Sequence, residues 1–170
     1  TSSAAILQGD SPRDAERHHA QYRVVSSPSQ SLTLAVAIVG QRLRGQQHVL
    51  LKALRLRPEL RKLLMETRQA LQDIEHRLFT QPPCTLAELR GVEVHAAARY
   101  FVAYRALFAE SLGFDDRNRR PPQDPVNVAL SLGYTLLHAE TLRALHGVGL
   151  NPLLGVYHQP AHGRDSLACD

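Results

Sequence analysis

Apolar residues recur at intervals of three and four along most of the chain, and prolines divide the pattern into segments. This spacing places the apolar side chains on one face of an α-helix. The pattern is clearest after Pro58, where one stripe runs through Leu60, Leu63, Leu64, Leu71, Ile74 and Leu78. Gln81-Pro82-Pro83 then ends the stripe, because proline lacks a backbone N–H and clashes with the preceding helical turn. The periodicity therefore predicts an all-α fold.

Start signals predict three more helices. A long apolar helix begins at Pro28. Thr85-Leu-Ala-Glu88 is a capping box, in which the Thr and Glu side chains bond backbone N–H groups at a helix start. Asp124-Pro125 combines an N-cap with a proline at the first helical position, so a further helix is expected from there to about His146.

The chain is expected to hold one main domain. Residues 1–27 are polar and are predicted to be a tail or linker, with strand remnants at Ile6–Leu7 and Tyr22–Val25. Residues 28–170 are long enough to bury a core and are predicted to form one helical domain. A last helix capped at Asp165 or Ser166 has room for only its first turn, so we expect the domain to be incomplete at this end.

Basic residues are concentrated in two regions of a chain whose formal net charge is +4. Residues 41–77 hold nine basic and four acidic side chains, a local excess of five. Arg117, Arg119 and Arg120 precede Pro121-Pro122, whose fixed φ angles keep the segment stiff. Guanidinium groups suit phosphate oxygens, so both regions are candidate surfaces for a polyanion. The alternative is that these charges form only a solvated face.

Other features exclude several classes of protein. No apolar run approaches the ~20 residues that a membrane span needs, so no membrane partner is expected. Cys84 and Cys169 form no CxxC pattern, and two cysteines do not make a disulfide framework, so the cytoplasm is the expected location. The sequence contains no Gly-rich phosphate loop and no HExxH or GxSxG motif.

Glu93 is the candidate site residue that the helical pattern itself singles out. It lies four residues after Leu89 and four before Ala97, within the apolar stripe of the helix that Thr85 caps. A carboxylate on a buried face is costly unless it is paired or binds a metal. The alternatives are a Glu satisfied by an Arg or a backbone group, or one exposed by a small rotation of the helix. His158, after a short apolar turn, and Asp170 are the other candidates.

An ordered series of short blocks resembles the Cas1 family, the CRISPR-associated endonucleases and integrases that capture new spacers. The blocks extend from about Ala20 to Asp170, and the longest starts with Asn-Arg-Arg-Pro-Pro. They are Ala20-Gln-Tyr-Arg23, Gly91-Val-Glu93 with Ala97 and Tyr100-Phe101, Asn118–Asn127 running into Leu130–Tyr134, Gly149–Pro152, Gly155–His158 and Gly163–Asp170.

The resemblance implies roles for single residues. Glu93 and His158 match a Glu and a His that hold Mg²⁺ or Mn²⁺, and both are predicted to be catalytic. The family's third acid matches a position three residues beyond Asp170, so Asp170 is predicted to be catalytic only in a supporting role beside the metal. The predicted DNA-binding residues are Arg42, Arg44, Arg117, Arg119 and Arg120.

The same resemblance implies a function for the whole. The helical part would be the catalytic domain, and residues 1–27 would lead from a small β domain that dimerises. The expected reaction inserts foreign DNA into a CRISPR array by transesterification, with double-stranded DNA (protospacer and repeat), a homodimer partner and the small Cas2 protein. This chain alone is expected to bind metal poorly and to be inactive. A rival hypothesis is a non-catalytic, basic helical module for DNA binding or interaction.

Overall fold

The computed structural model describes residues 15–118, 121–159 and 161–170. Within these ranges the structure has six α-helices, two short 3₁₀ turns (Pro58–Leu60 and Glu110–Leu112) and no β-strand. The helices are α1 Ala15–Ser26, α2 Pro28–Leu56, α3 Arg61–Thr80, α4 Leu86–Arg105, α5 Pro125–Gly147 and α6 Ser166–Cys169. The all-α prediction is confirmed.

The helix starts follow the local signals. The Thr85 hydroxyl accepts the backbone N–H of Glu88 at 3.1 Å, as a capping box requires. The Glu88 carboxylate reaches back to the N–H of Cys84 at 2.8 Å, one residue earlier than the motif predicts. Asp124 accepts the N–H of Asn127 at 2.8 Å and so caps α5. These side chains satisfy N–H groups that have no partner inside the helix.

Helix α1 corrects part of the sequence analysis. It occupies Ala15–Ser26, within the segment predicted to be a tail or linker. The strand remnant predicted at Tyr22–Val25 is wrong, because these residues lie in the last turns of α1. The β-branched pair Val24-Val25 favours a strand only weakly, and the side-chain contacts of α1 outweigh that preference. The remnant predicted at Ile6–Leu7 lies outside the described residues.

The chain divides into two compact units. The larger is Leu32–Thr135, and the smaller combines Thr1–Ser31 with Leu136–Asp170. In the larger unit, α3 packs against α4, and leucines spaced at helical intervals are fully buried. These leucines are Leu43, Leu50, Leu64, Leu71, Leu78 and Leu89. Their burial removes apolar surface from water, which is the main favourable term for this core.

An aromatic cluster holds the chain after α4. Tyr104 packs on Phe108 and Phe114 with ring centroids 5.2 Å and 6.1 Å apart. Tyr100 stacks on Tyr104 at 5.4 Å. Burial raises the pKa of both tyrosine hydroxyls. The edge-to-face contacts anchor the segment that leads into the arginine-rich loop before α5.

In residues 15–118, 121–159 and 161–170, no helix has both the length and the apolar character that a bilayer crossing requires.

Candidate functional site

Glu93 lies on the inner side of α4, in the larger unit. It is four residues after Leu89 and three before Ala96, and both of those are buried. Its side chain is 19% exposed, and its carboxylate accepts a hydrogen bond from the guanidinium of Arg42 on α2. Of the arrangements predicted for Glu93, the structure therefore shows the one paired with an arginine. The carboxylate stands at the edge of the core, within reach of water.

His158 is held by Asp170 in the smaller unit. The Asp170 carboxylate accepts the backbone N–H groups of Val156 at 2.6 Å, Tyr157 at 3.1 Å and His158 at 2.7 Å. It also lies 2.9 Å from the Nδ1 atom of the His158 ring. The side chain of Asp170 is 2% exposed and that of His158 is 37% exposed. One buried carboxylate thus orients both the backbone and the ring of His158.

Tight packing fixes the loop that carries His158. A Cβ atom on Gly155 would lie 2.5 Å from the carbonyl oxygen of His158 and 2.8 Å from Ser166, so only glycine fits. Leu167 donates its backbone N–H to the carbonyl of Pro152 at 2.8 Å. Ser166 is fully buried, and its hydroxyl donates to the carbonyl of Gln159 at 3.1 Å. The start of α6 is therefore the support on which this loop folds.

Each of the two candidate ligands, taken by itself, suits a hard or borderline divalent cation. A neutral imidazole that donates from Nδ1 carries its lone pair on Nε2, so Asp170 leaves the outer nitrogen of His158 ready to be a ligand. The carboxylate of Glu93 offers hard oxygen atoms. No group of three or more His, Cys, Asp or Glu side chains is arranged for one metal ion within the described part of the chain.

The structure brings some predicted site residues together and leaves one pairing as a prediction. His158 and Asp170 are in direct contact, and so are Arg42 and Glu93. Glu93 belongs to the larger unit and His158 to the smaller. That Glu93 and His158 coordinate the same cation remains a prediction.

Arg117 is committed to internal contacts at the start of the arginine-rich loop. Its guanidinium donates to the side chains of Asn127 at 2.8 Å and Ser131 at 3.2 Å, and it lies over the ring of Tyr134 at 5.6 Å. These bonds use donors that a phosphate would need. A role for Arg117 in DNA binding stays a prediction, and Arg119 and Arg120 lie outside the described residues.

Asn127 is the centre of the network that closes this loop. It is fully buried, and its side-chain oxygen also accepts the N–H of Asn118 at 3.1 Å. Its amide nitrogen donates to the Asp116 carbonyl at 2.8 Å and to Asp124 at 2.5 Å. Burial alone would raise the pKa of Asp124, but the hydrogen bonds from Asn127 and Asn118 outweigh burial and lower it. The sequence analysis named Asn127 only as the end of a family block and gave it no role, although its position three residues after an N-cap was a usable signal.

Arg44, another predicted DNA contact, also has a partner inside the larger unit. Its Nε donates to Glu75 at 2.5 Å, and its guanidinium lies over the ring of Phe79 at 5.6 Å. Half of the side chain remains exposed, as for Arg42. A role for Arg42 and Arg44 in DNA binding stays a prediction.

Comparisons with known proteins place these features in a family. The family model described as "CRISPR associated protein Cas1" matches residues 2–170. The chain is 38% identical over 142 residues to the CRISPR-associated endonuclease Cas1 1 of Thermodesulfovibrio yellowstonii, covering 82% of this chain and 44% of that protein. It is 35% identical over 164 residues to a Cas4/Cas1 exonuclease–endonuclease fusion of Geobacter sulfurreducens, covering 93% of this chain and 29% of the fusion.

A solved structure agrees with these matches. A chain of a partial Cas6-RT-Cas1–Cas2 complex superimposes with a TM-score of 0.82 at 29% identity, over 99% of this chain and 48% of that one. The chain thus spans less than half the length of each of these relatives.

Proposed function

The chain belongs to the Cas1 family of CRISPR-associated proteins, and from that membership we propose that it is the helical part of a DNA endonuclease and integrase. The reaction joins foreign DNA to a CRISPR array through attack of a 3′-hydroxyl on a phosphodiester. The observation that carries the proposal is the Asp170–His158 arrangement, because a carboxylate on one ring nitrogen is the usual support for a metal-ligating His.

Glu93 and His158 are the residues that would hold the cation, Mg²⁺ or Mn²⁺. Such an ion polarises a phosphoryl oxygen and stabilises the attacking or leaving oxygen. The carboxylate of Asp170 accepts hydrogen bonds from the ring of His158 and from three backbone N–H groups of the loop. We therefore assign Asp170 a positioning role. It fixes the orientation of the His158 ring through Nδ1.

The proposed binding partners are inferred from membership of the Cas1 family and from the basic regions of the chain. Double-stranded DNA, as protospacer and as repeat, is the substrate, and arginines of the basic regions neutralise its phosphates. Arg119 and Arg120 are the best candidates in the loop, because Arg117 is held by Asn127 and Ser131. The similar Cas6-RT-Cas1–Cas2 complex supports a Cas2 partner. A homodimer and a cytoplasmic location complete the proposal.

The test is a strand-transfer assay with Mn²⁺, a short duplex and a plasmid carrying a CRISPR array, using the full-length gene product. Glu93→Gln and His158→Ala are each expected to abolish integration while the circular dichroism spectrum is retained. Transfer at the wild-type rate in either variant would remove that residue from the site.

Two matched controls are available in the chain. Glu75, 16% exposed, also accepts from an arginine of α2, so Glu75→Gln reproduces the loss of an ion pair. His138, 38% exposed, contacts the carboxylate of Asp165 at 3.2 Å, so His138→Ala reproduces the loss of a His–Asp pair. Both controls should retain integration. DNA binding without metal-dependent transfer in the wild type would favour the non-catalytic module instead.

A further inference from the structure

Helix α1 is hydrogen-bonded to the chain just after α5 through one buried side chain, that of Gln21. Gln21 is 9% exposed. Its amide nitrogen donates to the carbonyl of Asn151 at 2.8 Å, and its amide oxygen accepts the N–H of the same residue at 3.0 Å. A longer bond of 3.4 Å goes to the carbonyl of Leu154. The side chain thus pairs with both polar groups of one backbone residue, as a neighbouring strand would.

Two basic side chains of α1 extend this contact to the end of α5. Arg17 donates to the carbonyl of Val148, and Nε2 of His18 donates to the carbonyl of Gly149 at 3.1 Å. The carbonyls at a helix C-terminus lack partners inside the helix and favour cationic groups. Gly149 has φ of +72°, a left-handed conformation that glycine adopts without strain. Helix α1 therefore holds the turn by which the chain leaves α5.

The segment that α1 holds is the segment that ends at His158. In the middle of the segment, the carbonyl of Pro152 accepts the backbone N–H of Leu167 in α6. At its end, the carboxylate of Asp170 accepts the backbone N–H of His158. The start of the segment, around Asn151, is hydrogen-bonded to α1, and Gln21 supplies two of these bonds, at 2.8 Å and 3.0 Å. The loop is thus held at its start by one helix and at its end by another.

We propose that Gln21 is a positioning residue for His158: by pairing with Asn151 it fixes the start of the loop whose end presents the imidazole. The proposal rests on the function proposed for His158. It gives α1 a role in positioning a residue of the proposed site. The physical reason is that the loop has no regular secondary structure, so its conformation depends on a few hydrogen bonds to the helices beside it, those of Gln21 among them.

The first test measures the loop directly in the 170-residue chain by amide hydrogen exchange. Gln21→Glu keeps the shape and the acceptor but sets a carboxylate against the carbonyl of Asn151, so it isolates hydrogen bonding from packing. Exchange at residues 150–158 should accelerate roughly tenfold, since an unsatisfied buried polar group favours local opening. Unchanged exchange in this segment would overturn the proposal.

A matched variant separates this effect from a general loss of stability. Gln47 is also 9% exposed, and it donates to Glu75 at 2.7 Å within the larger unit. Gln47→Ala should lower the melting temperature without accelerating exchange at residues 150–158. Equal acceleration in Gln47→Ala would mean that the loop reports only global stability, which would overturn the proposal.

The second test reads the ring of His158 by ¹⁵N NMR. The wild type should show the Nδ1–H tautomer, because Asp170 accepts from Nδ1. In Gln21→Glu the population of the Nε2–H tautomer should rise. A loosened loop with an unchanged tautomer would show that Gln21 has a structural role only. Neither readout needs metal or DNA, so failure here is distinct from failure of His158→Ala to abolish integration.

Discussion

Glu93 and His158 are presented in opposite ways. Glu93 stands on a regular helix of 20 residues, and its carboxylate is paired with a half-exposed arginine. His158 stands on an irregular loop, where a carboxylate that is only 2% exposed accepts four hydrogen bonds. The helix places the Glu93 backbone through many cooperative bonds, whereas the loop depends on a few long-range ones.

This difference indicates how each of the two residues can be displaced by mutation. Removing one side chain near Glu93 leaves the backbone of α4 in place, because its i→i−4 ladder remains. Removing one side chain near His158 releases several backbone groups at once. Single substitutions should therefore affect the two regions unequally.

The largest effect is expected for Asp170→Ala. Three backbone N–H groups and the His158 ring would lose their acceptor, which we expect to cost about 3 kcal/mol of the free energy of unfolding. Urea denaturation measures this cost. The control is Asp165→Ala, which removes a 36% exposed carboxylate paired with His138 and should cost less than about 1 kcal/mol. Equal losses in the two variants would mean that the buried carboxylate of Asp170 contributes no more to stability than an exposed one.

An intermediate effect is expected for Thr85→Ala at the start of α4. Loss of this N-cap should cost about 1 kcal/mol in thermal or urea unfolding. The amide of Glu93, two turns further along, should keep its protection from exchange. Thr80→Ala is the control, since that hydroxyl bonds only to a carbonyl of its own helix at 2.9 Å and should matter little. Rapid exchange at Glu93 in Thr85→Ala would show that its helix is as fragile as the loop.

The smallest effect on stability is expected for Arg42→Gln, at most about 1 kcal/mol, because one partner of the ion pair is half exposed. Mn²⁺ affinity of the full-length protein should nevertheless rise, since the guanidinium and the cation compete for the same carboxylate. Mn²⁺ electron paramagnetic resonance measures that affinity. Arg44→Gln, which removes the ion pair of Glu75 instead, should leave that affinity unchanged. Weaker Mn²⁺ binding in Arg42→Gln would mean that Arg42 orients Glu93 for the metal.

Sequence reasoning found most of the fold and part of the site. The caps at Thr85 and Asp124 and the apolar stripe of α3 predicted where helices start, because these signals act between residues three or four apart. Glu93 was also identified as a candidate from its near neighbours in the sequence, because it is a carboxylate within an apolar stripe. His158 was a candidate because it follows a short apolar turn, but only the family resemblance gave it a metal-binding role among the nine histidines.

The same local reasoning missed Gln21 and mistook Tyr22–Val25 for a strand. Gln21 meets Asn151 across 130 positions of the chain, and Arg42 meets Glu93 across 51. The residues next to each partner in the sequence give no signal from which such long-range pairs could be predicted.

Patterns among near neighbours in the chain were enough to predict a helical protein, the starts of several helices, and a carboxylate at position 93 within the apolar stripe of α4. That Arg42 covers this carboxylate, that Asp170 holds the loop of His158, and that α1 bonds to the turn after α5 could be seen only in the folded chain. The physical reason is that helix formation depends on contacts between near neighbours. Side-chain bonds between distant residues form only once packing has brought their backbones together.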